Sequence, residues 1–368
     1  MTDSLAKIES IGHSADMVIV GAGVVGLWCA LRAQEAGLRV VILEAGKAGE
    51  GASNGHLGAL MPHQPVNWSA KKQEQLEGLL ELEGEVARLE ALTGLSAGYR
   101  RTGRIVPLTD AGQRERNEAW AQDARRFWPV RSPAGMPLAW NVTDANPAPG
   151  WIEPAAAPFG FAVETLSARV APRRLMAVLR AALAGISLIE HCPVEAIGSD
   201  GGITLANGAN FAARRVIVAA GWQSFSLMPG HPGMPEGSGV KGQSALLRPA
   251  NPADPALPVL YADGVYAIAH DDGLVAIGST SEKVWDDEAA TDHRLDALVA
   301  AARRLSPALR DAQVVDRWAG IRPKGPTAAP VVEPVTGAGH VILATGGFKI
   351  TFAIAHRMAR AAVQAALA

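Results

Sequence analysis

Asp16-Met-Val-Ile-Val-Gly-Ala-Gly-Val-Val-Gly-Leu-Trp28, followed by Leu38-Arg-Val-Val-Ile-Leu-Glu-Ala-Gly46, is the stretch that decides the fold. Met17 to Val20 is a short apolar run suited to a buried parallel strand, and Gly21, Gly23 and Gly26 complete a GxGxxG spacing where a helix begins. The three glycines meet three different mechanical needs. Gly21 allows a tight turn, Gly23 lets the backbone approach a pyrophosphate, and Gly26 lets the helix lie close on the sheet. The free N–H groups of the helix then face the phosphates. Ala36-Gly37 ends that helix, Arg39 to Leu43 forms a second apolar strand, and Glu44 stands at its end to accept ribose hydroxyls. Glu44 lies eighteen positions past Gly26, close to the roughly 20 expected of a dinucleotide site. Its carboxylate would repel a 2′-phosphate, which disfavours NADP.

Working outward, 368 residues with 48% hydrophobic content can bury a large core and predict two domains. A net charge of −2, without a basic block, predicts no general affinity for nucleic acid or anionic lipid and points to small-molecule partners. Cys29 and Cys192 lack metal-ligand or CxxC spacing, so buried thiols in a reducing compartment are expected, and no metal site. The first fifteen residues include Asp3, Glu9 and His13 and no long apolar core. No transmembrane segment is therefore expected, and a cytoplasmic location is.

Gly46 to Pro65 is rich in Gly, Ala, Ser and Asn, which predicts an ordered loop near a ligand, with Ser53, Asn54 and His56 as its polar groups. The same three residues also fit simple turn roles. Ser69 predicts a helix cap ahead of a core stripe of Leu76, Leu79, Leu80, Val86, Leu89 and Leu92. A polar helix follows over 111–127, and Thr102 to Leu108 reads as a strand. Pro172 starts a further helix. Arg215-Val-Ile-Val-Ala-Ala-Gly-Trp222 and His340-Val-Ile-Leu-Ala-Thr-Gly-Gly347 are two more buried strands running into glycine. Residues 229–258, crowded with Pro and Gly, mark a crossing. Val259 to Ile268 and Leu274 to Ile277 read as strands split by a hairpin at Asp271-Asp272-Gly273. Thr291 reads as the cap of a helix to Leu305. Parallel-strand signals in 1–80, 155–225 and 320–368 predict one nucleotide domain. Long helices and alternating strands in 81–154 and 226–319 predict a second domain on an antiparallel sheet.

The ordered segments Arg215 to Trp222, Val240-Lys-Gly-Gln243, Val265-Tyr-Ala-Ile-Ala-His270, Ala276-Ile-Gly-Ser-Thr280, Trp318-Ala-Gly-Ile-Arg-Pro323 and Ala344-Thr-Gly-Gly-Phe-Lys349 resemble a known family. It is the FAD-dependent amino-acid and amine oxidoreductases, typified by D-amino-acid oxidase, glycine oxidase and sarcosine oxidase. The resemblance implies an α/β fold, a Rossmann-type FAD-binding domain interleaved with a substrate domain. It also implies FAD as the cofactor and oxidation of the C–N bond of a small amino acid or N-substituted amino acid. The α-hydrogen would leave as hydride to the flavin N5, and oxygen or an electron carrier would reoxidise the flavin. Around FAD it places Gly21, Gly23, Val24, Val25, Gly26, Glu44 and Ala45, then Ser53, Asn54, His56, Leu57 and Gly58, then Ala220 and Gly221. Gly320, Arg322, Gly346, Gly347, Phe348 and Lys349 complete that set.

For catalysis the resemblance implies Arg322, Lys349 and Tyr266. Arg322 can grip both oxygens of a substrate carboxylate, or serve in an ion pair. Tyr266 reaches the pocket or packs in the sheet, and Lys241 faces the flavin or solvent. Lys349 replaces a family arginine, Ile350-Thr351 an Asn-Gly, Gly346-Gly347 a Gly-His, and Pro326-Thr-Ala-Ala-Pro330 a Pro-Asp-Gly stretch. His56-Leu-Gly-Ala-Leu60 resembles the histidyl flavin attachment of dimethylglycine dehydrogenase relatives. Two other readings remain: oxidation of a 2-hydroxy acid with His56 or His270 as base, and flavin binding without catalysis.

Overall fold

The strand Met17–Val20 sits inside a six-stranded sheet, between Val216–Val218 and Val40–Leu43, and is parallel to both. The computed structural model describes residues 15–368, so the expectation drawn from Asp3, Glu9 and His13 lies outside the described residues. The chain divides into two compact units, one of Met1–Asn54, Met176–Val240 and Ile321–Ala368, the other of Gly55–Leu175 and Lys241–Gly320. Among the described residues no helix is long and apolar enough to cross a membrane.

In the first unit the sheet order is Pro330–Val335, Ala338–Gly346, Val216–Val218, Met17–Val20, Val40–Leu43 and Ser187–Ile189. All neighbours are parallel except the hairpin partners Pro330–Val335 and Ala338–Gly346. The three strands that run into glycine are thus adjacent and in register, Val18 opposite Val216 and Val216 opposite Val341. Because side chains alternate across a strand, Val18, Val20, Val216, Val218, Val341 and Leu343 face one cluster with Ile203, Leu205 and Phe211 of a small three-stranded sheet. The helices Val24–Glu35 and Thr351–Leu367 pack together, with the Trp28 and His356 rings 5.9 Å apart. Val24–Glu35 is apolar on nearly every side, as a helix covered on both flanks must be, and it stops at Gly37 in the left-handed region.

The second unit carries an eight-stranded sheet in the order Gln313–Lys324, Ser238–Arg248, Val275–Gly278, Val265–Ala269, Val259–Ala262, Arg104–Pro107, Phe161–Glu164 and Trp140–Thr143. From Ser238–Arg248 to Trp140–Thr143 its pairings are antiparallel apart from Val259–Ala262 with Arg104–Pro107, which run parallel. One cluster built on Ile105, Ala267, Ile277, Leu295 and Val299 holds the helix His293–Leu305 to this sheet.

Several expectations need correcting. Residues 55–80 and 155–175 cluster with the second unit rather than the nucleotide unit, because Ala59–Leu60 pairs with Ala168–Arg169 and Phe161–Glu164 joins the large sheet. Residues 226–240 belong to the first. The crowded stretch 229–258 contains an eleven-residue strand, Ser238–Arg248. Val259 to Ile268 is two strands, turned at Asp263-Gly264 with φ of 46° and 82°, the paired positive values a tight hairpin needs. Asp292, not Thr291, caps the helix, its carboxylate accepting from the Arg294 N–H. Leu92 is 63% exposed, one turn past the end of the buried stripe.

The glycines give a paired prediction. A Cβ at Gly26 would run into the Gly21 carbonyl, whereas Gly84, exposed in mid-helix, has nothing within 4 Å. Gly26→Ala should cost about 1–3 kcal/mol or more from overpacking against backbone, and Gly84→Ala should gain about 0.5–1 kcal/mol. Thermal denaturation should therefore move the two midpoints in opposite directions, and equal shifts would refute the packing argument.

Candidate functional site

The carboxyl ends of the parallel strands gather Gly21, Glu44, Ala220-Gly221 and Gly346-Gly347 along one edge of the first unit, where α/β sheets receive ligands. Glu44 does more than wait for a ribose: Ala22 N–H donates to Oε2 at 2.6 Å and Gly46 N–H to Oε1 at 2.9 Å. Its carboxylate therefore holds the glycine turn in shape, and each oxygen keeps a further lone pair. Ala45 is the link between Glu44 and that second clasp. Gly23, the residue before the helix, has no side chain to cap it; Ser53 supplies the acceptor from a distance, taking the Val24 N–H at 3.0 Å. Ser53 is buried in that role, and Asn54 closes the loop by donating its N–H to Gly51.

The glycines test whether a dinucleotide fits. Gly21 and Gly26 are small because the chain itself crowds them, but a Cβ at Gly23 would meet only Ser53 Oγ, at 3.3 Å, and its φ of −74° is open to any residue. Packing within the chain does not require glycine at 23, and a diphosphate lying on the Val24 and Val25 end of the helix would. Gly221, with φ of 62° and open space around it, is similarly unexplained by packing, and Thr345 Oγ1 fixes it by donating to its carbonyl. These residues fit FAD.

Arg322 and Lys349 are brought together within the same unit. Gly346, Gly347 and Phe348 all have positive φ, and Phe348, at 48°, is a bulky residue in a conformation that side chains resist. The bend is held by the Phe348 N–H, which donates to the Pro323 carbonyl at 3.2 Å, and by the Thr351 hydroxyl on the Gly346 carbonyl. Lys349 Nζ then lies 5.6 Å from the Phe348 ring centroid. Partial desolvation, and then the Arg322 guanidinium, lower the Lys349 ammonium from its usual value, although the residue is exposed overall.

In the second unit Tyr266 is half-buried on Val265–Ala269. It is paired with Tyr261 at 4.7 Å between rings and packed with Leu57 on the cluster of Val259, Ile268 and Ala276. Gly58 and Gly320, expected near the cofactor, have packing reasons to be glycine. A Cβ at Gly58 would strike the Val170 carbonyl, and one at Gly320 the Trp318 indole. His56 is buried with both ring nitrogens engaged: Nδ1 lies 3.0 Å from Ser244 Oγ and Nε2 3.1 Å from Asp316 Oδ2. A neutral ring satisfies both when Nε2–H donates to Asp316 and Nδ1 accepts from Ser244. Arg173 then directs its own hydrogen bond to Asp316 at 3.0 Å. Burial lowers His56, with Asp316 opposing and Arg173 assisting. Burial alone would raise Asp316, but His56 and Arg173 together hold it below its usual value. Lys241 is buried, with Nζ donating to the Asp287 carbonyl at 2.6 Å, and so does not face solvent.

Ser244, Asp316 and Arg173 escaped the sequence reading because no local spacing links them to His56. They meet only through strand order. Asp316 on Gln313–Lys324 and Ser244 on the neighbouring Ser238–Arg248 were the available signal, once those strands were recognised.

A family model described as FAD dependent oxidoreductase, DAO, matches residues 16–361. A glycine oxidase of Pseudomonas aeruginosa is 32% identical over 345 residues, covering 91% of this chain and 90% of its own. One from Pseudomonas putida is 31% identical, covering 88% and 87%. Among solved structures, glycine oxidase from Geobacillus kaustophilus matches with a TM-score of 0.82 at 24% identity over 94% and 92% of the two chains. Iminodiacetate oxidase from Chelativorans matches at 0.82 with 21% identity over 95% of each. These structural likenesses establish the shared fold.

The second unit's histidines also predict a pH response. His270 Nε2 donates to the His56 carbonyl at 2.9 Å, and its Nδ1 meets no partner among the described residues. Burial, with Arg169 adding to it against the His56 carbonyl, Asp271 and Asp272, lowers His270 from 6.5 to about 4. The folded chain thus holds it neutral. Its contribution is complete above pH 6.5 and is lost as pH falls towards 4, on the order of 3 kcal/mol across that window. His356 in the first unit, lowered to about 3, acts in the same direction. His270→Gln keeps the donor to His56 and should flatten, without abolishing, the fall in melting temperature between pH 6.5 and 4. An unchanged slope would remove His270 from the account.

Proposed function

The chain belongs to the DAO family of FAD dependent oxidoreductases, and from that membership we propose that it oxidises the C–N bond of a small amino acid or N-substituted amino acid. The observation that carries the reading beyond its family is the pairing of Arg322 with Lys349 beside the glycine-ended strand, held by the Phe348 to Pro323 bond. Such a substrate always presents a carboxylate next to the carbon being oxidised. A planar guanidinium binds that carboxylate through two parallel hydrogen bonds and so fixes where the α-carbon lies. When bound, FAD accepts the hydrogen and electron pair leaving that carbon. Water then converts the resulting imine to an oxo acid and ammonia or an amine. Glu44, Gly23 and the Val24 end of the helix would hold the adenosine diphosphate portion, Ala220-Gly221 and Gly346-Gly347 the remainder.

The glycine oxidases of Pseudomonas support a small amino acid as the class. Oxidation of a 2-hydroxy acid would need a base for the hydroxyl proton, and His56 and His270 are both buried. Two free, buried thiols, Cys29 and Cys192, suit the cytoplasm. Oxygen or an electron carrier would complete the cycle.

Purified protein should show the visible absorption of flavin, and anaerobic mixing with small amino acids should bleach it, with ammonia or amine released on turnover. Arg322→Met should raise KM for glycine by roughly tenfold to a hundredfold, the loss of a charge-assisted pair. A colourless protein, or a flavin that no amino acid bleaches, would end this reading; bleaching by hydroxy acids without ammonia would replace it.

A further inference from the structure

In the second unit the helix Ala111–Phe127 runs through Trp128 into a short hairpin over residues 129–137. Between Asp123 and Asp144 the chain has Arg125, Arg126 and Arg131 and no acidic residue. Residues 129–137 are exposed apart from Ser132, with Val130 at 82% and Met136 at 42%, and they include Pro129, Pro133 and Pro137. A single exposed apolar side chain needs no explanation. Here two large ones share one hairpin with three prolines and a border of cations. Val284, exposed to the same extent, is followed instead by Asp286, Asp287 and Glu288.

The cations meet no acid of the chain. A helix C-terminus favours positive charge, which gives Arg125 and Arg126 a local reason for their place, but Arg131 lies beyond the helix. Its Nη1 donates to the Gly135 carbonyl at 2.6 Å, and the Arg126 guanidinium lies 5.1 Å from the Phe127 ring centroid. Among the described residues none of the three is paired with a carboxylate. Phe127 itself is stacked on Trp68, with 4.8 Å between ring centroids, where the hairpin begins.

The hairpin also loses little when it leaves water. Ser132 N–H donates to the Met136 carbonyl and Gly135 N–H to the Ser132 carbonyl, both at 2.8 Å, Met136 N–H to Ser132 Oγ at 3.3 Å, and Leu138 N–H to the Val130 carbonyl at 2.9 Å. The prolines have no N–H to satisfy. An apolar medium penalises every unsatisfied backbone donor, and from 129 to 137 only the N–H groups of Val130, Arg131 and Ala134 lack an acceptor among the described residues. A protein partner can supply missing acceptors. A bilayer cannot, and this backbone asks for few.

We propose that the hairpin 129–137 docks on an anionic lipid bilayer. Val130, Pro133 and Met136 enter the boundary between headgroups and acyl chains, and Arg125, Arg126 and Arg131 contact the lipid phosphates. The chain's net charge of −2 gives no general attraction to such a surface, so the contact is local and fixes which face of the second unit meets it.

The test sediments the FAD-loaded chain with vesicles of phosphatidylcholine, alone or mixed with phosphatidylglycerol, at physiological and at high salt. The wild type should bind the mixed vesicles, bind phosphatidylcholine more weakly, and lose binding as salt rises. Arg125→Gln and Arg126→Gln should each weaken it by roughly fivefold. Val130→Ser combined with Met136→Ser should weaken it by roughly tenfold or more, and Val130→Trp should strengthen it. These positions are exposed, so every variant should melt with the wild type. No binding to the mixed vesicles, or binding that the Val130→Ser and Met136→Ser pair leaves unchanged, would overturn the assignment. So would an oligomer in the ultracentrifuge that this pair dissociates, since the hairpin would then be an interface between copies of the chain.

Discussion

A backbone carbonyl, that of Gly21, occupies the space that a side chain at position 26 would need. The first unit is arranged around that contact. It presses the helix Val24–Glu35 onto the strand it has just left, and so sets the direction of its N-terminus along the carboxyl edge of the sheet. Gly21 is itself crowded by Ala219 and Ala220 of the neighbouring strand, which leaves no freedom in how the second glycine-ended strand approaches. Glu44 then closes the arrangement from the other side by accepting the Ala22 N–H. A charged acceptor on a backbone donor is among the stronger hydrogen bonds available, and here it ties the acid after the second strand to the glycine turn after the first.

The first unit was legible in the sequence because its signals are local. Four apolar residues, a glycine turn and an acid at a fixed distance lie within thirty residues, and the structure puts them where the spacing requires. The other glycine-ended strands were legible singly, and their adjacency follows from parallel pairing in register. The second unit was read less well. Ser238–Arg248 hides among Pro and Gly because a strand buried in the middle of a sheet need not alternate, and Val240 to Ala245 are buried without a break. Asp263-Gly264 carries a turn signal as plain as that at residues 271–273, but a continuous apolar reading of 259–268 ran over it. Gly58 and Gly320 read as cofactor glycines from where they fall in a motif, and Val170 and Trp318 give each a steric reason to be glycine as well.

His56 illustrates a residue whose chemistry is invisible to sequence and whose role is still definite. Ser244, Asp316, Arg173 and His270 come from four separate segments to meet it. Arg173 lies 3.2 Å from Nε2 as well as 3.0 Å from Asp316, so the ring is held whichever nitrogen carries its proton. What it fixes is the backbone of Gly55 to Gly58, through the His56 carbonyl that His270 takes and the Gly58 carbonyl that accepts from Val170. A histidine with so many partners is a clasp for its loop.

Lys349 is a cation whose place in the chain is set by a strained bend. The negative charge at Glu44 is met by the chain's own amides, so the glycine turn is held in shape by the fold itself. At Arg322 and Lys349 the balance is reversed. The chain holds two positive groups near each other, fixes one by a strand and the other by three successive left-handed residues, and sets no acid against Lys349 among the described residues. A folded protein tolerates an unfavourable charge pair only if the rest of the fold is stable enough to enforce it. An anion bound beside Lys349 would recover that cost.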